Sequence, residues 1–226
     1  MKIGIIAAMP EEIKTLTENL EQAGKQTRYG FIFHTGSIGR HEIVMVQSGI
    51  GKVMSAVAVT LLVQLFDVDA LINTGSAGAV DDSLKIGDIV IAEQLAYHDV
   101  DVTAFSYKYG QMAGQELFYH SSSYFISELK KVLDTAKVGL ITSSDSFIAS
   151  SDKIAEIKSH FPEVLAVEME GASIAQAATV LHKPFVVIRA ISDTASQDAN
   201  IKFDEFIIEA GQASAEILIQ LLNQMV

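Results

Sequence analysis

Acidic side chains follow several apolar runs in this sequence. Glu168 and Glu170 flank a methionine at the end of the run 164–167, and Asp193 closes the stretch FVVIRAIS. Burial and neighbouring charges shift the pKa of such carboxyl groups, which can then give or take protons near neutral pH. Several carboxylates in one crevice would suit general acid–base catalysis and the binding of sugar hydroxyls, as hydrolysis of a glycosidic bond requires.

A further carboxylate belongs to the first predicted helix, which opens with the letters MPEE. Acidic residues favour a helix N-terminus through the helix dipole, so the pair Glu11 and Glu12 alone does not indicate catalysis. The apolar stripe of this helix contains Ile13, Leu16 and Leu20. At about 100° per residue, Glu12 lies beside Leu16 while Glu11 faces away. We therefore predict that Glu12, and not Glu11, points into the protein.

One arginine and a glycine-rich turn accompany the carboxylates. Arg189 interrupts an apolar strand pattern, and a buried charge needs a partner, so it is either half of a structural ion pair or a site residue. The stretch 73–79, NTGSAGA, could let a ligand approach the backbone closely or could be a plain tight turn. Ser192 and Asp193 could equally cap a turn or a helix. Each signal is ambiguous alone, and only their common position at strand ends indicates a site.

His98, Asp99 and Asp101 resemble a metal-binding cluster by composition. In a strand, His98 would point away from the two aspartates, so the spacing does not favour a shared metal ion. We predict neither a metal nor a cofactor. The sequence contains no cysteine, which excludes disulfides and thiolate ligands and is compatible with a cytoplasmic location.

The elements that must position these residues alternate strand and helix patterns. Strands are predicted over 2–8, 31–38, 42–48, 70–79, 88–100, 137–143, 163–167 and 184–192. Helices are predicted from Pro10 onward and over 52–66, 124–134, 152–160, 170–182 and 203–224. This alternation predicts the α/β class with a largely parallel sheet that a hairpin around 39–40 makes mixed. Ligands of such sheets bind beyond the carboxyl ends of the strands, where the acidic residues fall.

Length and composition exclude several classes of protein. The chain has 226 residues, which fits one sizeable domain or two small ones. Its 49% hydrophobic residues and mean hydropathy of +0.30 suggest a sheet buried on both faces. We predict a single domain over 1–226. A formal net charge of −12 argues against binding nucleic acid, because phosphate contacts need a basic face. No uncharged apolar stretch is long enough to cross a bilayer, so no membrane partner is predicted.

Eight motifs together resemble the bacterial 5′-methylthioadenosine/S-adenosylhomocysteine nucleosidases, of the nucleoside phosphorylase–hydrolase superfamily. In order they are IGIIAAMPEE, QSGIGKV, NTGSAGA, YHDVDVTAFSYKYGQ, DSFI, AVEMEGA, VVIRAISD and FDEF. The resemblance implies a single three-layer α/β/α sandwich around a mixed, twisted central sheet. It implies hydrolysis of the N-glycosidic bond of both nucleosides to adenine and the 5-thioribose product. It also implies a homodimer in which the segment 102–113 reaches the neighbouring site.

The same resemblance implies roles for individual residues. Glu12 is expected to activate the attacking water, Asp193 to protonate adenine at N7, and Glu170 to accept the ribose hydroxyls. Phe147 is similar to the aromatic residue that stacks on adenine, and Arg189 is similar to the residue that steadies the carboxylates and the water. The remaining positions that match substrate-binding residues are Met9, Ile50, Ser76, Gly78, Val102, Phe105, Tyr107, Ile148, Met169, Ser192 and Phe203.

Three residues depart from the family pattern. Ala113 stands where many members carry proline, Ser144 where glycine is usual, and Gly171 where alanine is usual. We expect Ala113 to loosen or reshape the 5′ pocket and so to change the preference among 5′-thio substrates, not the reaction. Glu168 matches no role that we can predict beyond a structural hydrogen bond.

Two alternative functions stay open at this point. A nucleoside phosphorylase of the same fold would favour convergent arginines for phosphate, whereas the sequence contains only Arg28, Arg40 and Arg189. A non-catalytic adenosine-binding module would keep Phe147 and Glu170 but would need neither a base nor an acid.

Overall fold

The computed structural model describes residues 1–195 and 199–225, without the side chains of 200–202. Within these ranges the backbone forms ten strands, β1 to β10: Lys2–Ala7, Glu21–Arg28, Phe31–Ile38, His41–Gln47, Ala70–Ala79, Ile89–Tyr97, Tyr119–His120, Lys137–Ser143, Val164–Glu168 and Phe185–Asp193. The helices α1 to α6 are Pro10–Glu18, Lys52–Phe66, Ser123–Val132, Ser151–His160, Gly171–Val180 and Ala199–Gln224. A short 3₁₀ helix spans Thr103–Phe105.

The strands form one mixed sheet with β5 at its centre. β5 pairs in parallel with β1 and β10 and antiparallel with β9. From β10 the sheet continues through β6 and β8 back to β9, so five strands close into a ring. On the other side of β5 the order is β1, β4, β3 and β2. The parallel strands β1, β5 and β10 therefore bring their carboxyl ends to one place.

Two apolar cores cover the two faces of the sheet. Val59 and Leu62 of α2 pack with Ile174 of α5 in one buried cluster. Leu16 of α1 and Leu218 of α6 belong to a second cluster, together with apolar residues of α3. The strands between them are apolar on both faces because both faces are covered. The predicted α/β/α sandwich around a mixed sheet is confirmed.

The sequence predicted most elements within a few residues. The bounds of α2, β5 and β8 agree with the prediction, and β3 and β4 form the predicted antiparallel hairpin. The strand predicted over 88–100 ends earlier, at Tyr97. Two strands were missed, β2 because its sequence EQAGKQTR lacks an apolar pattern, and β7 because it has two residues. In the described part of the chain, no helix has the length and apolarity needed to cross a membrane.

Candidate active site

A cavity of about 420 Å³ opens beside the carboxyl ends of β1, β5, β9 and β10. Its volume lies within the range of small-molecule sites. Twelve of the predicted site residues line it: Met9, Glu12, Ile50, Ser76, Gly78, Phe147, Ile148, Met169, Glu170, Ser192, Asp193 and Phe203. The lining also contains Ser146, Glu168 and Asp204, which the sequence did not assign to the site.

Glu12 is held by four hydrogen bonds at the start of α1. Its Oε2 accepts from the backbone N–H groups of Ala8 and Met9, at 2.9 and 3.1 Å, and its Oε1 accepts from the N–H and hydroxyl of Ser76, at 3.0 and 3.1 Å. The side chain is buried, whereas Glu11 is exposed. The orientation predicted from the helical wheel is therefore confirmed.

The glycine at position 75 explains how Glu12 comes so near to β5. A Cβ atom on Gly75 would lie 2.7 Å from Glu12 Oε1 and 3.0 Å from Arg189 Nη1. The first distance is shorter than an ordinary non-bonded contact of a Cβ atom allows, and the second is at the lower limit of such contacts. The glycine-rich stretch is therefore required for packing a carboxylate and a guanidinium against the strand, besides any contact with a ligand.

Asp193 lies at the end of β10, where the strand register shifts between Ile191 and Asp193. Irregularities of this kind redirect a side chain relative to its neighbours. The buried carboxyl group accepts hydrogen bonds from the Ser192 hydroxyl at 3.0 Å and from the Ala195 N–H at 2.7 Å. Its register partner is Gly78, whose missing side chain leaves room for it.

Arg189 is buried and pairs with the two glutamates that flank Met169. Its Nη2 atom lies 2.5 Å from Glu168 Oε2, 3.7 Å from Glu170 Oε2 and 2.7 Å from Asn73 Oδ1. The main partner of the buried charge of Arg189 is therefore Glu168. The sequence left the role of Glu168 unexplained, and the structure shows that this residue is the close partner of Arg189.

The two glutamates differ in their electrostatics. Burial and the charge of Glu168 raise the pKa of Glu170 to about 8, against the opposing effects of Arg189 and of the Gly51 N–H, which donates to Glu170 Oε1 at 2.9 Å. Burial would also raise the pKa of Glu168, but Arg189 and the hydrogen bonds to Glu168 hold it below the usual value. Glu168 is therefore the charged partner of the arginine, and Glu170 holds its proton more tightly.

Two aromatic rings also line the cavity. Phe147 and Phe203 meet edge to face with their ring centroids 5.5 Å apart, and Phe147 is 45% exposed. The loop before Phe147 is tied down, because Asp145 Oδ1 accepts from the Lys52 N–H at 2.8 Å and Asp99 Oδ2 accepts from the Asp145 N–H at 3.0 Å. An exposed ring on a fixed loop is suited to stacking on a flat ligand.

Comparison with known proteins gives a family for this site. The family model of the phosphorylase superfamily matches residues 2–223. A 5′-methylthioadenosine/S-adenosylhomocysteine nucleosidase of Staphylococcus aureus is 44% identical over 227 residues, covering 99% of this chain and 100% of the relative. The chain belongs to this nucleosidase family, within the phosphorylase superfamily. The resemblance seen in the sequence motifs is confirmed.

Solved structures of nucleosidases share the fold of the chain throughout. One from S. pneumoniae, with the transition-state inhibitor MT-ImmA, has a TM-score of 0.97 and 58% identity and covers 99% of each chain. One from Streptococcus pyogenes, in complex with 5-methylthiotubericidin, has a TM-score of 0.99 and 56% identity and covers 100% of this chain and 98% of the other.

The residues that depart from the nucleosidase pattern lie in three different settings. The hydroxyl of Ser144 donates to the Ser146 carbonyl and accepts from its N–H, both at 3.1 Å, and so shapes the loop before Phe147. A Cβ on Gly171 would lie 2.6 Å from Leu95 Cδ2, so an alanine there would force Leu95 to move. Ala113 is exposed.

Four predicted site residues do not line the cavity. Arg189 lies behind it, and the other three belong to the segment 102–113: Val102 packs partly on the core, Tyr107 is partly buried, and Phe105 is 77% exposed. Their contact with a neighbouring site stays a prediction.

His98, Asp99 and Asp101, which resemble a metal-binding cluster by composition, each have other partners. His98 is buried and its Nδ1 lies 3.0 Å from Thr142 Oγ1, whereas Asp99 pairs with Lys52 at 2.6 Å and Asp101 accepts from Thr103. Among the residues described, no three His, Cys, Asp or Glu side chains are grouped so that they could hold a metal ion.

Proposed function

We propose that this chain hydrolyses the N-glycosidic bond of 5′-methylthioadenosine and S-adenosylhomocysteine, giving adenine and the 5-thioribose product. The observation that carries the proposal is that Glu12, Glu170 and Asp193 line one cavity with the exposed ring of Phe147. The names of the full-length relatives support the choice of substrates. The proposal assumes one domain over 1–226 and a cytoplasmic location, and both stay predictions. The absence of nucleic-acid and membrane partners is also still a prediction.

Departure of adenine requires an acid on the base side of the cavity. Adenine leaves poorly as an anion, and a proton on N7 makes it a neutral leaving group. Asp193 would donate this proton from the end of β10, where Ser192 and the Ala195 N–H orient its carboxyl group. Because the residue is buried, little water competes for the transfer.

The ribosyl ring becomes positively charged as the bond breaks. In its ionised form, Glu170 would accept hydrogen bonds from the ribose hydroxyls and stabilise this charge, since a carboxylate acts more strongly in a buried site. Water is a weak nucleophile, and Glu12 would take its proton while Ser76 and the N–H groups of Ala8 and Met9 hold the carboxylate in place. Arg189 would balance the excess negative charge of the glutamates.

The pairing of Arg189 favours hydrolysis over phosphorolysis. A phosphate-binding site needs an available guanidinium, but Arg189 is occupied by Glu168 at 2.5 Å and faces Glu170 at 3.7 Å. The other two arginines are exposed, Arg28 at the end of β2 and Arg40 in the turn between β3 and β4. Phosphate would therefore meet carboxylates, not free arginine, in this cavity.

A simple assay distinguishes the three candidate functions. The purified chain is mixed with 5′-methylthioadenosine in phosphate-free buffer, and free adenine is measured with and without added phosphate. We expect equal release under both conditions. Release only with phosphate would indicate a phosphorylase, and binding without release would indicate a non-catalytic module.

We further propose that two copies of the chain share their sites. Val53, Met54 and Val57 of α2 are exposed, at 72%, 42% and 40%, and Phe105 is 77% exposed. Ile50, which lines the cavity, lies just before α2 and is also exposed. Apolar side chains in such positions are typical of an interface, and a second copy would let the segment 102–113 cover the open side of the cavity.

Mixed dimers test this sharing directly. Asp193→Asn and Phe105→Ala variants are each expected to have low activity. If Phe105 serves the neighbouring site, mixing them creates dimers with one intact site, and activity should rise above the sum of the separate variants. An unchanged sum, or a fully active monomer, would contradict the shared site.

A further inference from the structure

Glu168 lies at the cavity but has no part in the proposed chemistry. Its buried carboxylate nevertheless accepts hydrogen bonds on both oxygens. Oε1 accepts from the Ser143 hydroxyl. Oε2 accepts from Arg189 Nη2 at 2.5 Å, from the Glu170 N–H at 2.9 Å and from the Gly171 N–H at 2.7 Å. A buried group with so many partners holds several elements in a fixed relation.

The first of these elements is the start of α5. Glu170 precedes the first turn of the helix, and its own N–H is bound by Glu168. The Ala172 N–H donates to the Ser143 hydroxyl at 2.7 Å, and this hydroxyl donates in turn to Glu168. Three successive backbone N–H groups, which α5 itself cannot satisfy, thus bind Glu168 and Ser143. The backbone of Glu170 is therefore positioned by Glu168.

The second element is Arg189, for which the glutamates compete. In the part of the chain described, the charged groups that face Glu170 are Glu168 on β9, Arg189 on β10 and Glu12 on α1. Arg189 is much nearer to Glu168, at 2.5 Å, than to Glu170, at 3.7 Å. Glu168 thereby keeps the guanidinium from forming a close pair with Glu170, and the Glu170 oxygens remain available on the cavity side.

We propose that Glu168 is a positioning residue for nucleoside hydrolysis, which holds Glu170 through the backbone and withholds Arg189 from it. This inference rests on the proposed function but assigns a residue that the chemistry itself does not need. It predicts that the charge of Glu168 influences the ionisation of Glu170. Without that charge, burial and the charge of Glu12 would still oppose ionisation, and Arg189 would be free to pair with Glu170 and favour it.

The test compares Glu168→Gln with Glu163→Gln. Glu163 is an exposed residue just before β9, the strand that ends at Glu168. Adenine release from 5′-methylthioadenosine is measured from about pH 5 to about pH 10 to obtain kcat/KM. If ionised Glu170 binds the ribose, wild-type kcat/KM rises through the pKa of Glu170. Glu168→Gln should move this rise down by about one pH unit or more and lower kcat roughly 10- to 100-fold. Glu163→Gln should match wild type.

Glu168→Asp and Ser143→Ala separate charge from geometry. Glu168→Asp keeps the charge, so kcat/KM should rise at the same pH as in wild type while kcat falls. Ser143→Ala should likewise lower kcat without moving the pH at which kcat/KM rises. It also keeps the test available if Glu168→Gln does not fold. An unmoved rise in folded Glu168→Gln, or wild-type kcat in Ser143→Ala, would overturn the proposal. Since wild-type adenine release is measured in the same series, failure of the proposed function itself would be seen separately.

Discussion

Gly78 and Asp193 are register partners on β5 and β10, and a Cβ atom on Gly78 would lie 2.9 Å from Asp193 Oδ1. The absence of one side chain thus makes room for the carboxyl group that we propose as the acid. A general acid acts only from a narrow range of positions. This contact therefore links the glycine-rich stretch to catalysis without any contact between the glycine and the substrate.

Replacing Gly78 by alanine should displace Asp193 while the fold persists. We expect kcat for 5′-methylthioadenosine to fall roughly 10- to 100-fold. Gly24→Ala is the matched control, because its Cβ would also meet a side-chain oxygen closely, at 2.8 Å from Thr35 Oγ1, but on β2. Circular dichroism should show both variants folded. Wild-type kcat in Gly78→Ala would mean that Asp193 tolerates displacement and is not the acid.

Asp193→Asn should lose turnover and keep most of its nucleoside affinity. The amide has the same size but cannot give the proton that adenine needs, and general acids contribute about 10²- to 10⁴-fold to rate. Calorimetric binding of 5′-methylthioadenosine and a long-incubation assay for adenine measure the two properties. Adenine release within tenfold of wild type would contradict the assignment.

Glu12→Gln and Glu11→Gln form a matched pair, since both residues lie in the first turn of α1. Glu12 is buried and bound to Ser76, while Glu11 is exposed. We expect Glu12→Gln to lower adenine release about 10²- to 10⁴-fold, as loss of a general base does, and Glu11→Gln to leave it unchanged. Equal loss in both variants would show that the effect comes from the helix start and not from the base.

Acid should destabilise the protein through His98. Burial lowers the pKa of His98 to about 4 from the usual 6.5. The unfolded chain therefore binds this proton at higher pH than the folded chain does, and stability falls as pH drops through this interval. The full loss is about 3 kcal/mol in the free energy of unfolding. Urea titrations at several pH values should show a weaker acid dependence in His98→Asn, and the wild-type dependence in His120→Asn, where the side chain is exposed.

The parts of the site that the sequence predicted are those set by local periodicity. The orientation of Glu12 follows from the wheel of α1, and the positions of Arg189 and Asp193 follow from an apolar strand and its end. The role of Glu168 could not be predicted, because Ser143 and Arg189 lie 25 and 21 residues away along the chain and reach it only through sheet pairing. The contact of Glu12 with Ser76 spans 64 residues and depends on Gly75.

The strands likewise could be predicted where local apolar patterns determine them, and not where pairing with a neighbouring strand does. Continuous apolar runs predicted the central strands, since strands buried on both faces need no alternation. β2 escaped prediction because the strand is exposed almost throughout, and its pairing with β3 is decided by the backbone and not by apolar side chains.

The polar strand β2 has a consequence for aggregation. It ends the strand order on one side, with β3 and its residues Phe31 and Phe33 next to it. An open sheet edge recruits strands from other molecules, and charged side chains such as Lys25 and Arg28 on the outermost strand oppose this. A chain that lost β2 would expose the unpaired backbone edge of β3 to other molecules. β2, whose sequence lacks an apolar pattern, thus prevents the sheet from pairing with strands of other molecules.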